Sequence, residues 1–141
     1  MADTTPYILE DRAPALAAYP HARRVGDLIF VSGISSRRPD GTHEGVTIHE
    51  DGHVERDVRE QTRAVIRNIG LILEAAGATL ADVVDVTCFL TDMTDYKGFN
   101  SAYNEFFDKE TGPTRTTVAV HQLPHPNLLI EIKAVAYAPL G

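Results

Sequence analysis

The stretch of this 141-residue chain that most limits its fold is the run Leu128 to Tyr137, LLIEIKAVAY. Successive side chains of a strand point to opposite faces of its sheet. Leu128, Ile130, Ile132, Ala134 and Ala136 therefore form one wholly apolar face, which helices must cover. The reverse face carries Leu129, Glu131, Lys133, Val135 and Tyr137. It is too apolar for bulk water and too charged for a core, so it belongs to a subunit interface or a cleft.

The remaining elements follow from period and punctuation. Leu28-Ile29-Phe30-Val31, bounded by Gly26-Asp27 and Ser32-Gly33, reads as a buried strand. Val58, Val65, Ile69, Ile72 and Ala76 mark one stripe of a helix. Asp57 followed by Glu60 resembles a capping box, and Gly77 stands where that helix should stop. Val84 to Thr91 reads as a strand, and Arg115 to His121 as another. A second helix is expected from Asp95 to Phe107, where Tyr96, Phe99, Tyr103, Phe106 and Phe107 form an aromatic stripe read as core packing. Residues 35–57 are polar and turn-rich, mostly loop. Residues 1–18, with Pro6 and Pro14, read as an irregular arm. The order strand, helix, strand, helix, strand, strand predicts an α+β domain spanning 1–141, with helices on one side of a sheet.

Several function classes are excluded by what the chain lacks. The net charge of -7 argues against nucleic acid, which needs a basic patch. No apolar run is long enough for a membrane span, and the N-terminus has no secretory pattern, so a cytoplasmic location is expected. Cys88 is the only cysteine, and its place among Val84, Val86 and Leu90 suggests an inert buried thiol. No glycine-rich phosphate loop occurs. His43, His49 and His53 sit in the polar loop and read as solvated. His121 and His125 are separated by Pro124, with Pro126 following, and cannot share a helical face. No metal site and no cofactor are expected.

Two residues invite chemistry. Arg115, at a strand start after Thr111-Gly112-Pro113, can hold a carboxylate through two parallel hydrogen bonds; the plainer reading is a structural salt bridge. Glu131, inside an apolar strand, should have its pKa raised by burial and so suit acid–base work. The plainer reading there is an ion pair with an arginine or Lys133.

Larger motifs point further. They are Gly26 to Gly33 (GDLIFVSG), Asn68 to Gly77 (NIGLILEAAG), Phe99 to Phe107 (FNSAYNEFF), Gly112 to Val118 (GPTRTTV) and Leu129 to Ile132 (LIEI). Together they resemble the RidA/YjgF family of imine and enamine deaminases, from about Tyr19 to Ala138. The resemblance implies a chorismate-mutase-like fold, a homotrimer or a hexamer of paired trimers with clefts between subunits, and hydrolysis without a cofactor. It matches Arg115 to the arginine that grips the substrate carboxylate and Glu131 to the glutamate that positions the hydrolytic water. Tyr19, Ser32, Gly33 and Asn100 match other positions lining the cleft.

Thr117 departs from generalist members, which have cysteine there, and Lys133 stands where many have a second glutamate. Within the family, Arg115 to Pro126 (RTTVAVHQLPHP) and Ser35 to Asp40 (SSRRPD) resemble the 2-aminomuconate deaminases. That implies conversion of 2-aminomuconate to 2-oxohex-3-enedioate and ammonia in bacterial breakdown of aromatic compounds. Thr117 would orient the water. Arg37 and Arg38, with His121 or His125 behind them, would anchor the second carboxylate. The competing expectations are a generalist 2-imino acid deaminase and a non-catalytic ligand sensor on the same fold.

Overall fold

A computed structural model describes residues 4–140. Its centre is a six-stranded mixed sheet in the order β1-β2-β3-β8-β6-β7. The strands are β1 (Thr4–Tyr7), β2 (Ala22–Val25), β3 (Leu28–Ile34), β6 (Val83–Leu90), β7 (Thr114–Ala119) and β8 (Ile130–Tyr137), with a separate hairpin of β4 (Val46–Ile48) and β5 (Val54–Arg56). Helix α1 (Val58–Ala75) packs on β3 and β8, and α2 (Tyr96–Tyr103) packs on α1. The α+β class and the apolar face of β8 are as expected. Ile130, Ile132, Ala134 and Ala136 are buried with Val65, Ile66, Ile69 and Leu73 of α1.

Helix α1 begins and ends by local chemistry. The Asp57 carboxylate accepts from the backbone N–H of Arg59 at 2.9 Å and of Glu60 at 3.2 Å, satisfying two donors that a helix start leaves free. At the other end Ala78 N–H bonds to Leu73 O and Gly77 N–H to Glu74 O. Gly77 has φ +83°, the left-handed conformation that this C-terminal motif requires.

The structure differs from the sequence reading in three elements. The N-terminal arm is not wholly irregular, because Thr4–Tyr7 pairs antiparallel with Ala22–Val25. Neither segment shows the apolar alternation that betrays a strand. Helix α2 stops at Tyr103, not Phe107, where the chain tightens into turns with Glu105 N–H on Ala102 O and Phe106 N–H on Tyr103 O. Strand β7 ends at Ala119, not His121, because its partner β6 ends at Leu90. Although β7 and β8 follow one another in sequence, they are not neighbours in the sheet: β6 lies between them, parallel to β7 and antiparallel to β8.

One buried polar side chain ties the last connection to the core. Gln61 on α1 is fully buried. Its amide donates to Asn127 O at 2.9 Å, and its Oε1 accepts from Leu129 N–H at 2.9 Å. Gln61 thereby fixes the start of β8. Gln61→Ala strands a backbone donor and an acceptor, and is expected to cost about 1–3 kcal/mol. Urea denaturation of both proteins measures this; a loss below about 0.5 kcal/mol would mean that water replaces the side chain.

Candidate functional site

A cleft of about 300 Å³ opens at one end of β3 and β8, with Tyr19, Gly33, Arg37, His43 and Glu131 among its walls. Its floor depends on a β-bulge. Val31 pairs with Ala134 and Ile34 with Ile132, so Ser32 and Gly33 together oppose Lys133. An extra residue of this kind re-aims the strand locally. It brings Gly33 against the Glu131 side chain so closely that a Cβ on Gly33 would stand 2.5 Å from Oε2 and 3.0 Å from Cδ. Only glycine leaves the carboxylate where it is. Burial is the cause that raises the Glu131 pKa above its ordinary 4.5. Among the described residues no cation contributes, so the ion pair considered from sequence is not formed, and Lys133 is exposed.

The arm before β2 builds the second wall. His21 is buried and pins it: Nδ1 accepts from Leu9 N–H at 3.1 Å, leaving Nε2 to donate to Ala13 O at 2.8 Å. Ser32 Oγ donates to Pro20 O at 2.7 Å, and the Arg37 guanidinium donates to Pro14 O. Tyr19 is thereby held at the rim. Arg12, inside the arm dismissed as irregular, also lines the cleft. The cleft therefore holds one carboxylate, Glu131, and two guanidiniums, Arg12 and Arg37. Arg12 and His21 carry no motif of their own; their only sequence signal is their closeness to Pro14 and Pro20.

Arg37 and Arg38 separate. Arg37 faces the cleft, whereas Arg38 lies outside it, donating to Thr42 Oγ1 at 3.2 Å and standing 3.8 Å from Glu44. His125 lines the cleft, and the exposed His121 does not. His43 is not the solvated loop histidine expected from sequence. It is 8% exposed, its ring centroid lies 4.5 Å from that of His125, and its buried Nε2 has no hydrogen-bond partner. The isolated bridge between Arg37 and His43 folds the loop back on itself, and that closure removes the ring from water.

Arg115 stands elsewhere. It pairs with Val86 and Thr117 with Cys88, two buried positions on the helix side of the sheet, whereas Glu131 pairs with Phe89 on the opposite side. Arg115 and Glu131 are therefore on opposite faces of the sheet. The Arg115 guanidinium lies 4.8 Å from the Tyr103 ring centre, 5.0 Å from Phe99 and 5.8 Å from Tyr96, and donates to Tyr96 Oη at 3.1 Å. The aromatic stripe of α2 is thus both core packing and a cation–π seat. Among the described residues Arg115 makes no salt bridge. Two buried polar atoms of this region, Thr117 Oγ1 and Asn100 Oδ1, have no hydrogen-bond partner. Burial pushes the Cys88 thiol up to about 12, consistent with an inert core cysteine.

Comparison with known proteins places this geometry. A family profile described as endoribonuclease L-PSP matches residues 10–138. A RutC family protein of Pyrococcus abyssi is 41% identical over 132 residues, covering 92% of this chain and 94% of its own. TdcF of Escherichia coli K12, provisionally named a reactive intermediate deaminase, is 34% identical over 128 residues, with 89% and 91% covered. The crystal structure of the yeast protein YEO7 superposes with a TM-score of 0.83 at 35% identity, covering 96% of this chain and 99% of that one.

The buried His43 has a consequence for pH. Burial first, then His125, Arg37 and Arg38, lower its pKa below 6.5. The unfolded chain therefore binds a proton at a pH where the native state refuses one. His43 should contribute a loss of stability as pH falls from 6.5 through the native value. His43→Phe, an uncharged ring of similar shape, should flatten that part of the melting-temperature profile. Identical profiles for the two proteins between pH 7 and pH 5 would return His43 to solvent.

Proposed function

The chain belongs to the endoribonuclease L-PSP family, to which the RidA/YjgF deaminases belong, and from that premise we propose that it is a hydrolytic deaminase of small enamino and imino carboxylates. The observation that carries this reading is Glu131: a half-buried carboxylate of raised pKa with no cation partner in its own chain, seated on Gly33 in a cleft that Arg12 and Arg37 make attractive to anions. A base works best when its pKa approaches the operating pH. The chemistry needs no more than a positioned water. The enamine tautomerises to the 2-imine, and water attacks the C=N carbon while its proton passes to Glu131. That proton passes on to the nitrogen, giving the carbinolamine; Glu131 then carries the hydroxyl proton to the same nitrogen as the C–N bond breaks, so that ammonia leaves and the hydroxyl oxygen becomes the carbonyl of the 2-oxo acid.

Arg115 completes the site in this proposal, supplied by a second copy of the chain. The open face of the sheet leaves Leu28, Phe30, Val118 and Tyr137 37–51% exposed, an apolar surface that a homotrimer would cover. Its edge would bring Arg115, which makes no salt bridge among the described residues, and Thr117, whose Oγ1 has no hydrogen-bond partner, toward the Glu131 of a neighbour. Arg115 would grip the carboxylate beside the reacting carbon, and Thr117 and Asn100 would orient water or substrate. Arg37, with Arg12, would hold a second carboxylate, which favours 2-aminomuconate as the substrate. RNA cleavage, which the family's description names, fits poorly with a net charge of -7.

Incubation with freshly generated 2-aminomuconate should release ammonia faster than spontaneous hydrolysis, and faster than with 2-iminopropanoate. Equal rates on both would make the protein a generalist, and no acceleration of either would make it a binding protein. Glu131→Gln should keep fold and binding and lose turnover by a factor of about 100 to 10,000. Near-normal turnover per folded molecule would remove Glu131 from the chemistry.

Arg115→Lys should fail to restore what Arg115→Ala loses, because an ammonium cannot make the forked contact. The alanine variant should lose several kcal/mol of transition-state binding, at roughly 1.5–3 kcal/mol per charge-assisted bond. Full activity of the lysine variant in steady-state kinetics would sink the clamp.

A further inference from the structure

The β4–β5 hairpin carries a cluster outside the cleft that the deaminase reading does not use. Thr47 pairs with Glu55 and Ile48 with Val54, and His49 N–H continues the ladder to His53 O at 2.9 Å. By the two-residue period of a strand, His49, His53 and Glu55 share one face. The tight turn is made by Gly52, at φ +90°, whose N–H closes on His49 O at 2.9 Å. The two imidazoles stack with centroids 3.8 Å apart and planes 8° from parallel. His49 Nε2 lies 3.5 Å from Glu55 Oε2, and His53 Nε2 lies 3.8 Å from Glu55 Oε1. One ligand atom from each of the three residues falls within 4.8 Å of the others.

We propose that His49, His53 and Glu55 form a surface site for a borderline divalent cation, zinc foremost. Zinc bonds of about 2.0–2.2 Å to nitrogen and oxygen put the corners of a tetrahedron about 3.3–3.6 Å apart. The spacings of both histidines to Glu55, 3.5 and 3.8 Å, are close to that; binding one ion would turn the two imidazoles out of their parallel stack, so that both in-plane lone pairs meet at it. The outer shell is also built. Asp51 Oδ1 accepts from His53 Nδ1 at 2.7 Å and from His53 N–H at 3.0 Å. A histidine held by a carboxylate through one nitrogen presents the lone pair of the other, the arrangement that orients metal-binding imidazoles. His49 Nε2 is buried from solvent without a hydrogen-bond partner, a lone pair that a cation would satisfy. Two imidazoles and one carboxylate suit zinc rather than magnesium or calcium, which prefer all-oxygen shells. The fourth corner is left to water.

From sequence these histidines read as solvated because residues 35–57 read as mostly loop; only the hairpin register puts them on one face. The site is independent of the cleft, since none of its residues lines it. Zinc chloride titrated calorimetrically into untagged, chelator-treated protein should bind at one ion per chain, with magnesium giving no comparable heat. His53→Ala should abolish that binding. Asp51→Asn, which leaves all three ligands in place, should weaken it by about 10–100-fold. Ammonia release from 2-aminomuconate should be the same with and without zinc, so failure of the deaminase reading leaves this test intact. Zinc binding that survives His53→Ala, or no saturable binding by the parent chain, would overturn the proposal.

Discussion

A strand at the middle of a sheet must satisfy two faces at once, and β8 does so with opposite chemistry on each. Its even-numbered residues from Ile130 to Ala136 are buried beneath α1, and that apolar contact holds helix and sheet together. The odd-numbered residues cannot then be apolar contacts with the same helix. They inherit whatever lies on the far side of the sheet. Glu131 is therefore a consequence of register: move β8 by one residue and the carboxylate enters the core while Ile130 and Ile132 leave it. Gln61, bonded to both Asn127 and Leu129, and the bulge at Ser32–Gly33 are the devices that keep the register from slipping.

The same bulge makes the local environment of Glu131. A regular β3 would set a side chain beside the carboxylate. The extra residue sets Gly33 there instead, and the carboxylate rests on bare backbone. With no cation among the described residues to compensate, burial alone acts on the Glu131 pKa. The arm from Leu9 to Tyr19 shields it from one side, and His21 holds that arm by using both ring nitrogens on backbone groups. Arm, bulge and strand register thus serve a single side chain.

Legibility in the sequence tracked the length and regularity of each pattern. Helix α1, with its cap at Asp57 and its stop at Gly77, could be read because capping is local. Strand β8 could be read because alternation persists over eight residues. Strands β1 and β2 could not, since each is four residues long and β1 gains its place from pairing alone. The site was legible only in part. Glu131, Tyr19, Gly33 and Arg37 do share a cleft, but nothing local distinguishes Arg37 from Arg38; the loop closing on His43 decides which one turns inward. Arg12 and His21 were missed because the roles of both come from contacts distant in sequence.

The placement of Arg115 against Glu131 follows from the insertion of β6 between their strands. Had β7 and β8 formed a hairpin, the connection of ten residues from Val120 to Leu129 would have set the two side chains by a local turn. With β6 between them, pairing ties each residue to a β6 neighbour, Arg115 to Val86 and Glu131 to Phe89, and these neighbours lie on opposite faces. No side-chain rotation in one subunit reverses that, because a face is fixed by backbone register and not by χ angles. In the proposed assembly an isolated subunit would retain the half-buried carboxylate and the cation seated on aromatic rings, yet lack a place where both reach one substrate. Catalysis would then be a property of the interface, and the apolar residues that drive association, Phe30, Val118 and Tyr137 among them, would control turnover without touching the reacting atoms.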